Sequence, residues 1–265
     1  MGDSVMRSLS GVLLVALVGV ASPATAEHVR FSQPVEVADT LPAGAGEIGL
    51  FQPLRYGLTD SVEIIGHPLL SLVAPAVDFK VRWGSWGAWT FSSLSGISFP
   101  TGLVSILACE GTGCIYPADA EIPFLVGFKS ELLASRRMDH ELRWTFRIGG
   151  KSALAFGENT LPSLDLPLAY TRFAHFRGNL ALWAGIGFDG RIWGPLRFLL
   201  DADAWWVAES DPQAQFAFEQ TGMVLWQVSQ GFALQAGWML IWGQYPFGDE
   251  LRVLPLIDAI WAFGS

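Results

Sequence analysis

An antiparallel transmembrane β-barrel of about twelve strands, in the range 10–14, is the fold class this sequence predicts, and three observations predict it. Apolar and polar residues alternate with period two from residue 46 almost to the C-terminus. Turn signals cut the alternation into units of strand plus connection roughly 20 residues long, longer than those of an ordinary sandwich. The chain is 51% hydrophobic and only 15% charged, yet beyond residue 27 it has no run of about 20 uncharged apolar residues that could cross a bilayer as a helix.

The elements follow in chain order. Residues 1–26 read as a secretory signal: Arg7 precedes the apolar run Gly11 to Ala21, and Ala24-Thr25-Ala26 supplies small residues for cleavage after Ala26. That run is too short to span a membrane, and no Cys follows it to take a lipid. Residues 27–45 are expected to form a periplasmic N-terminal segment, and 46–265 the barrel. Strands are placed near 46–56, 61–71, 76–84, 86–99, 121–134, 140–156, 166–176, 179–189, 191–207, 214–228, 231–243 and 251–263. Separators include Leu58-Thr59-Asp60, Met138-Asp139, Asp189-Gly190 and Ser210-Asp211-Pro212. An even number returns the C-terminus to the side where the N-terminus began, as single-chain outer-membrane barrels require.

The parity of individual strands is explicit. In 77–83, Val77, Phe79, Val81 and Trp83 alternate with Asp78, Lys80 and Arg82, and a strand sends the two sets to opposite faces. Leu142, Trp144, Phe146 and Ile148 alternate with Arg143, Thr145 and Arg147. Leu196, Phe198, Leu200, Ala202, Ala204 and Trp206 oppose Arg197, Asp201 and Asp203, and Leu234, Ala236, Trp238, Leu240 and Trp242 oppose Gln235, Gly237, Met239 and Ile241. About twelve strands enclose more space than side chains can fill, so a soluble barrel with these bulky rows inside is disfavoured. Inverting it places apolar rows on lipid and charges in a polar lumen, with every backbone group paired in the closed sheet. The lumen-facing set expected from parity is Glu63, Asp78, Lys80, Arg82, Lys129, Glu131, Arg143, Arg147, Arg197, Asp201, Asp203 and Glu219, nearly balanced in sign. Trp83, Trp86, Trp89, Trp193, Trp205, Trp206, Trp242, Tyr245, Phe247, Trp261 and Phe263 lie near strand ends, as interfacial aromatic girdles do.

The residues Leu41-Pro42-Ala43-Gly44, Gly49, Arg55 to Ile64 (RYGLTDSVEI) and Phe79-Lys80-Val81-Arg82 resemble the amino-terminal part of uncharacterised outer-membrane β-barrel proteins of Gram-negative bacteria. The resemblance spans about 45 residues, implies the barrel class and the bacterial outer membrane, and implies no substrate. The last strand, Leu256 to Phe263, looks like the carboxy-terminal signal read by the barrel-assembly machinery, with Gly264-Ser265 following the aromatic residue.

Chemistry is sparse. The only cysteines, Cys109 and Cys114, bracket a glycine-bearing loop and are expected to form a disulfide in an oxidising compartment. His28, His67, His140 and His175 are scattered, with no metal-ligand spacing, and Gly185-Ile186-Gly187 reads as close packing in a strand. No catalytic residue, cofactor or metal site is assigned. Asp201 and Asp203 read as partners of basic residues such as Arg197, Lys129, Arg143 or Arg147. A net charge of −9 without a basic run excludes nucleic acid. The expected partners are outer-membrane lipid, the assembly machinery and small solutes. The expected role is a narrow pore or a passive structural membrane protein; a lipid- or lipopolysaccharide-modifying enzyme and a secreted barrel holding an apolar ligand are the alternatives.

Overall fold

The computed structural model describes residues 34–110, 116–138, 142–158, 175–178, 180–208, 215–245 and 248–264. Twelve strands close into one antiparallel barrel, each paired with its sequence neighbours, and the first closes on the last. They are β1 Gly46–Gly49, β2 Leu54–Thr59, β3 Val62–Gly66, β4 Ala76–Trp86, β5 Trp89–Ser98, β6 Phe124–Arg137, β7 Arg143–Phe156, β8 Leu180–Trp193, β9 Leu196–Val207, β10 Phe216–Gln227, β11 Phe232–Tyr245 and β12 Gly248–Phe263. Two short helices, α1 Thr101–Leu107 and α2 His175–Gly178, lie in the longest connections. No helix among the described residues is long and apolar enough to cross a membrane.

The strand number matches expectation because two differences cancel. The stretch read as one strand over 46–56 is β1 and β2, separated by a turn that the Asp258 carboxylate organises by accepting the backbone N–H groups of Leu50, Phe51 and Gln52 at 2.8, 3.1 and 2.9 Å. That acceptor is remote in sequence; the local sign of the break was Pro53, which has no N–H to give a ladder. Where a strand was placed at 166–176, β7 pairs directly with β8, 175–178 is helical, and 166–174 lie outside the described residues. Elsewhere the turns moved. β4 runs on through Gly84 with a register shift after Arg82, and turns instead at Gly87, whose φ of 59° is open to glycine. Asp189-Gly190 stays inside β8, and the chain turns at Gly194. The strand placed at 61–71 ends at Gly66, and Leu70–Leu72 is a 3-10 turn.

The parity is inverted relative to a soluble barrel. Phe79, Phe128, Leu132, Phe146, Ile148, Leu182, Phe218, Trp238 and Val253 are exposed on the outer face, whereas Glu63, Lys80, Glu131, Arg143, Arg147, Asp201 and Glu219 are buried within. The barrel ends are unlike. Connections at the end holding both strand termini, such as 60–61, 87–88 and 194–195, are short; at the other end 99–123 and 157–179 are long. At that far end Val104 of α1 and Phe176 of α2 pack with Tyr116 against Leu125 of β6 and Ala153 of β7.

The opposite mouth is closed by the chain itself. Residues 34–41 run inside the barrel, where Val37, Ala38 and Leu41 are buried and Ala38 sits among Ile65, Leu94 and Leu133. The motif that carried the family resemblance builds this seat. Thr40 Oγ1 donates to the Asp60 carbonyl (2.8 Å), Ala43 N–H to Asp60 Oδ1 (3.0 Å), and Gly44 and Gly57 exchange backbone bonds with Gly57 and Ala45 (2.9 Å each). Gly57 has to be glycine because a Cβ there would overlap the Pro42 carbonyl.

Candidate functional site

Among the described residues the lumen gathers charged side chains, and inward parity delivers them from nearly every strand. At the plugged mouth Arg55 forks onto Glu63 (Nε–Oε1 2.6 Å, Nη2–Oε2 3.0 Å) and reaches Glu47 at 3.6 Å. Glu63 also accepts the Leu41 N–H at 2.9 Å. Lys80, fully buried, donates from Nζ to the Val35 carbonyl (2.6 Å) and approaches that of Asp39 (3.5 Å). The Asp39 carboxylate accepts from Arg143 (3.1 Å) and Arg137 (3.2 Å). The plug is therefore held by charge-assisted bonds to both its backbone and its side chains.

Deeper in, Arg143 forks onto Asp189 (2.8 and 2.7 Å), which Arg197 also approaches at 3.5 Å. Arg147 donates to Asp201 and, at 2.7 Å, to Asp203. Gly185 makes room for this group, since a Cβ there would collide with the Asp203 carboxylate. Glu219 lies directly across from Asp203 in the β9–β10 ladder. Lys129 sits between Asp78 (3.7 Å) and Glu131 (3.5 Å), and Glu131 accepts the Trp183 indole N–H at 3.1 Å. Arg82 is half-buried on the same face.

Of the twelve residues named from parity, Glu63, Lys80, Glu131, Arg143, Arg147, Asp201 and Glu219 are buried, Asp78, Lys129, Arg197 and Asp203 line the cavity, and Arg82 is half-buried; the two aspartates share Arg147. Parity reasoning overlooked Glu36, Asp39, Glu47, Arg55, Asp189 and Asp258. Asp258 was legible, since it alternates with Ile257 and Ala259; Asp189 was masked by reading Asp-Gly as a turn. Trp205 corrects the girdle assignment: it is 7% exposed, points inward and stacks on Trp183 with ring centroids 4.9 Å apart. Trp83, Trp86, Trp193 and Trp261 are exposed; Phe247 lies outside the described residues. His175 is buried against Phe176; burial, with Lys151 second, pushes its imidazole down to about 3, which keeps it neutral. His67 bonds the Phe51 carbonyl at 3.0 Å in the rim, while His28 and His140 lie outside the described residues. Among the described residues no cluster of three metal-ligating side chains occurs.

Beside the plug residues Pro34, Val35 and Glu36, walled mainly by β1–β3 and β9–β12, lies a cavity of about 910 Å³. Its described lining carries eight carboxylates against four guanidinium or ammonium groups, so the near balance of sign expected from the sequence is replaced by an acidic excess once the overlooked residues are included.

No protein-family model matches the chain, and no curated protein matches it. Solved structures similar to it include the Pseudomonas aeruginosa protein OccK11 (OpdR), with 10% identity, 84% of this chain and 63% of that one covered, and a TM-score of 0.39. The outer-membrane channel DcaP of Acinetobacter baumannii matches at 8% identity, with 88% and 67% covered and a TM-score of 0.38. Pseudomonas aeruginosa OprD matches at 14%, with 86% and 62% covered and a TM-score of 0.38. The chain thus spans about two thirds of their length or less. Its class is defined by its own strand pairing and inverted polarity: a closed twelve-stranded antiparallel β-barrel, apolar outside and charged within.

Proposed function

We propose that the protein is a Gram-negative outer-membrane β-barrel, exported with residues 1–26 as a signal cleaved after Ala26, which acts as a narrow non-catalytic pore for small solutes and is held nearly shut by its own N-terminal segment. The observation that carries this reading is the direction of the alternation: strands with apolar rows outside pair their backbones with one another and meet hydrocarbon, while the charges pair around a lumen. Short turns at the end with both termini and long connections at the other match the periplasmic and extracellular sides of outer-membrane barrels. Segment 34–45 then enters from the periplasm. β12, with Leu251, Val253, Ile257, Trp261 and Phe263 exposed, is the strand the assembly machinery would read.

Planar-bilayer recording tests the plug. The intact protein is expected to give small or rare steps, and Ala38→Asp, which forces a carboxylate into a seat among Ile65, Leu94 and Leu133, to give larger and more frequent ones because a buried unpaired charge is expelled. Equal conductance from the two proteins would contradict this reading.

Cys109 and Cys114 are proposed to close their loop covalently on the extracellular side. Ala108 and Tyr116 pair as a bridge, which brings the loop's ends together; Cys114 itself lies outside the described residues. Unreduced protein should take up no thiol reagent, and Cys109→Ser should still assemble, since the loop lies outside the barrel wall. Alkylation of both residues without reductant would refute the link.

A further inference from the structure

The barrel wall is uneven. β12 has 16 residues and β11 has 14, whereas β1, β2 and β3 have 4, 6 and 5. β1 meets β12 in register only over Ile260–Phe263, and one further backbone bond joins Leu50 to Ala259. From Gly248 to Asp258 β12 therefore has no backbone partner on its β1 side among the described residues, about 35 Å of strand at the usual rise. An unpaired strand edge is not tolerated against hydrocarbon but is tolerated where it borders a cavity. Pro255, which has no N–H to offer a ladder, lies in this stretch, as sheet prolines do on free edges.

The cavity reaches this edge. Pro255 and Ile257 have outward parity and still line it, together with Phe51 and Pro53 of the turn that tops the low part of the wall. The lips are apolar: Phe51 is 72% exposed, Val253 60% and Ile257 73%. From the lips inward an apolar stripe continues along the lining through Leu256 and Ile260 of β12, Met239 of β11, Met223 and Leu225 of β10, and Leu199 of β9. Leu256, Gly237, Met223 and Leu199 form one ladder row. The acidic excess of the lining lies alongside: Asp201 and Asp203 follow Leu199 on the inner face of β9, and Glu219 precedes Met223 on that of β10.

We infer that the gap between β12 and the short strands β1–β3 is a lateral portal, through which a single-chain amphiphile with a cationic head passes between the bilayer and the lumen, its tail on the stripe and its head among the carboxylates. Burying an alkyl tail on the stripe removes apolar surface from water on both partners, and hydrated ions gain nothing from such a wall. The inference rests on the membrane-barrel reading above, and one experiment separates the two.

The protein in liposomes is photolabelled with an alkylammonium probe carrying a diazirine at its tail, and in parallel with the matched alkyl carboxylate, and the labelled residues are mapped by mass spectrometry. The expected result is ammonium label on the outer rows, such as Phe218 and Trp238, and also on Met223, Met239 and Leu256; the carboxylate labels the outer rows alone. Met239→Lys should lose the internal ammonium label while keeping the outer label, which reports that the barrel has assembled. Outer label without internal label from either probe would overturn the portal and leave the membrane barrel standing. Internal label that is equal for the two probes would overturn the cationic head. Absence of label from the outer rows would overturn the membrane reading itself.

Discussion

Phe146→Arg is expected to lower the yield of folded barrel, since a guanidinium on the lipid face costs about 2–4 kcal/mol at the bilayer midplane and less toward the interfaces. Phe146 is 46% exposed on the outer face of β7, the fourth of the strand's 14 residues. The matched inward substitution needs space as well as parity. Thr145, the neighbour that alternation alone would select as the tolerant control, is 2% exposed and lies 2.8 Å from the Ser135 hydroxyl, which in turn accepts the N–H of the plug residue Ala38 at 2.8 Å. An arginine there would collide with the plug. Thr221 lines the cavity and pairs in register with Asp201, so Thr221→Arg should assemble at near wild-type yield. Heat-dependent gel mobility after refolding reads both, and equal yields from Phe146→Arg and Thr221→Arg would remove the lipid-facing assignment.

Arg147→Met should destabilise the barrel by roughly 3–5 kcal/mol, because removing one partner leaves buried carboxylates uncompensated. Arg147 is 7% exposed and is shared by Asp201 and Asp203. Replacing the whole group, Arg147→Met with Asp201→Asn and Asp203→Asn, should recover most of the loss, since neutral side chains of similar volume carry no desolvation penalty for charge. Urea titration of the reconstituted protein followed by tryptophan fluorescence measures the difference. A triple variant as unstable as Arg147→Met would mean that packing, and not charge, is what the guanidinium supplies.

Which side chains face inward was legible because period two is a property of the strand itself and needs no tertiary information: Lys80 between Phe79 and Val81, or Arg147 between Phe146 and Ile148, is enough. What filled the lumen was not legible. Residues 34–41 have no periodicity to mark them, and their seat is assembled from Ser135, Glu63, Lys80 and Arg143 on four different strands. Trp205 shows the limit of position as a guide: it stands near a strand end as a girdle residue would, but its parity is that of Asp203 and it stacks inside. The low wall at β1–β3 was hidden for a related reason. Pro53 marks a break after Phe51 and Gln52, but the Asp258 carboxylate that takes their amides and shapes the turn is remote in sequence.

The claim on which the rest depends is the direction of the alternation, and a nitroxide scan along β10 in lipid bilayers measures it directly. Labels at Phe218, Gln220, Val224 and Trp226 should collide preferentially with oxygen dissolved in the hydrocarbon, and labels at Glu219, Thr221 and Leu225 should not, giving a period of two with its maxima on the even residues. Maxima on the odd residues, or no alternation at all, would contradict a barrel that wears its apolar rows outside.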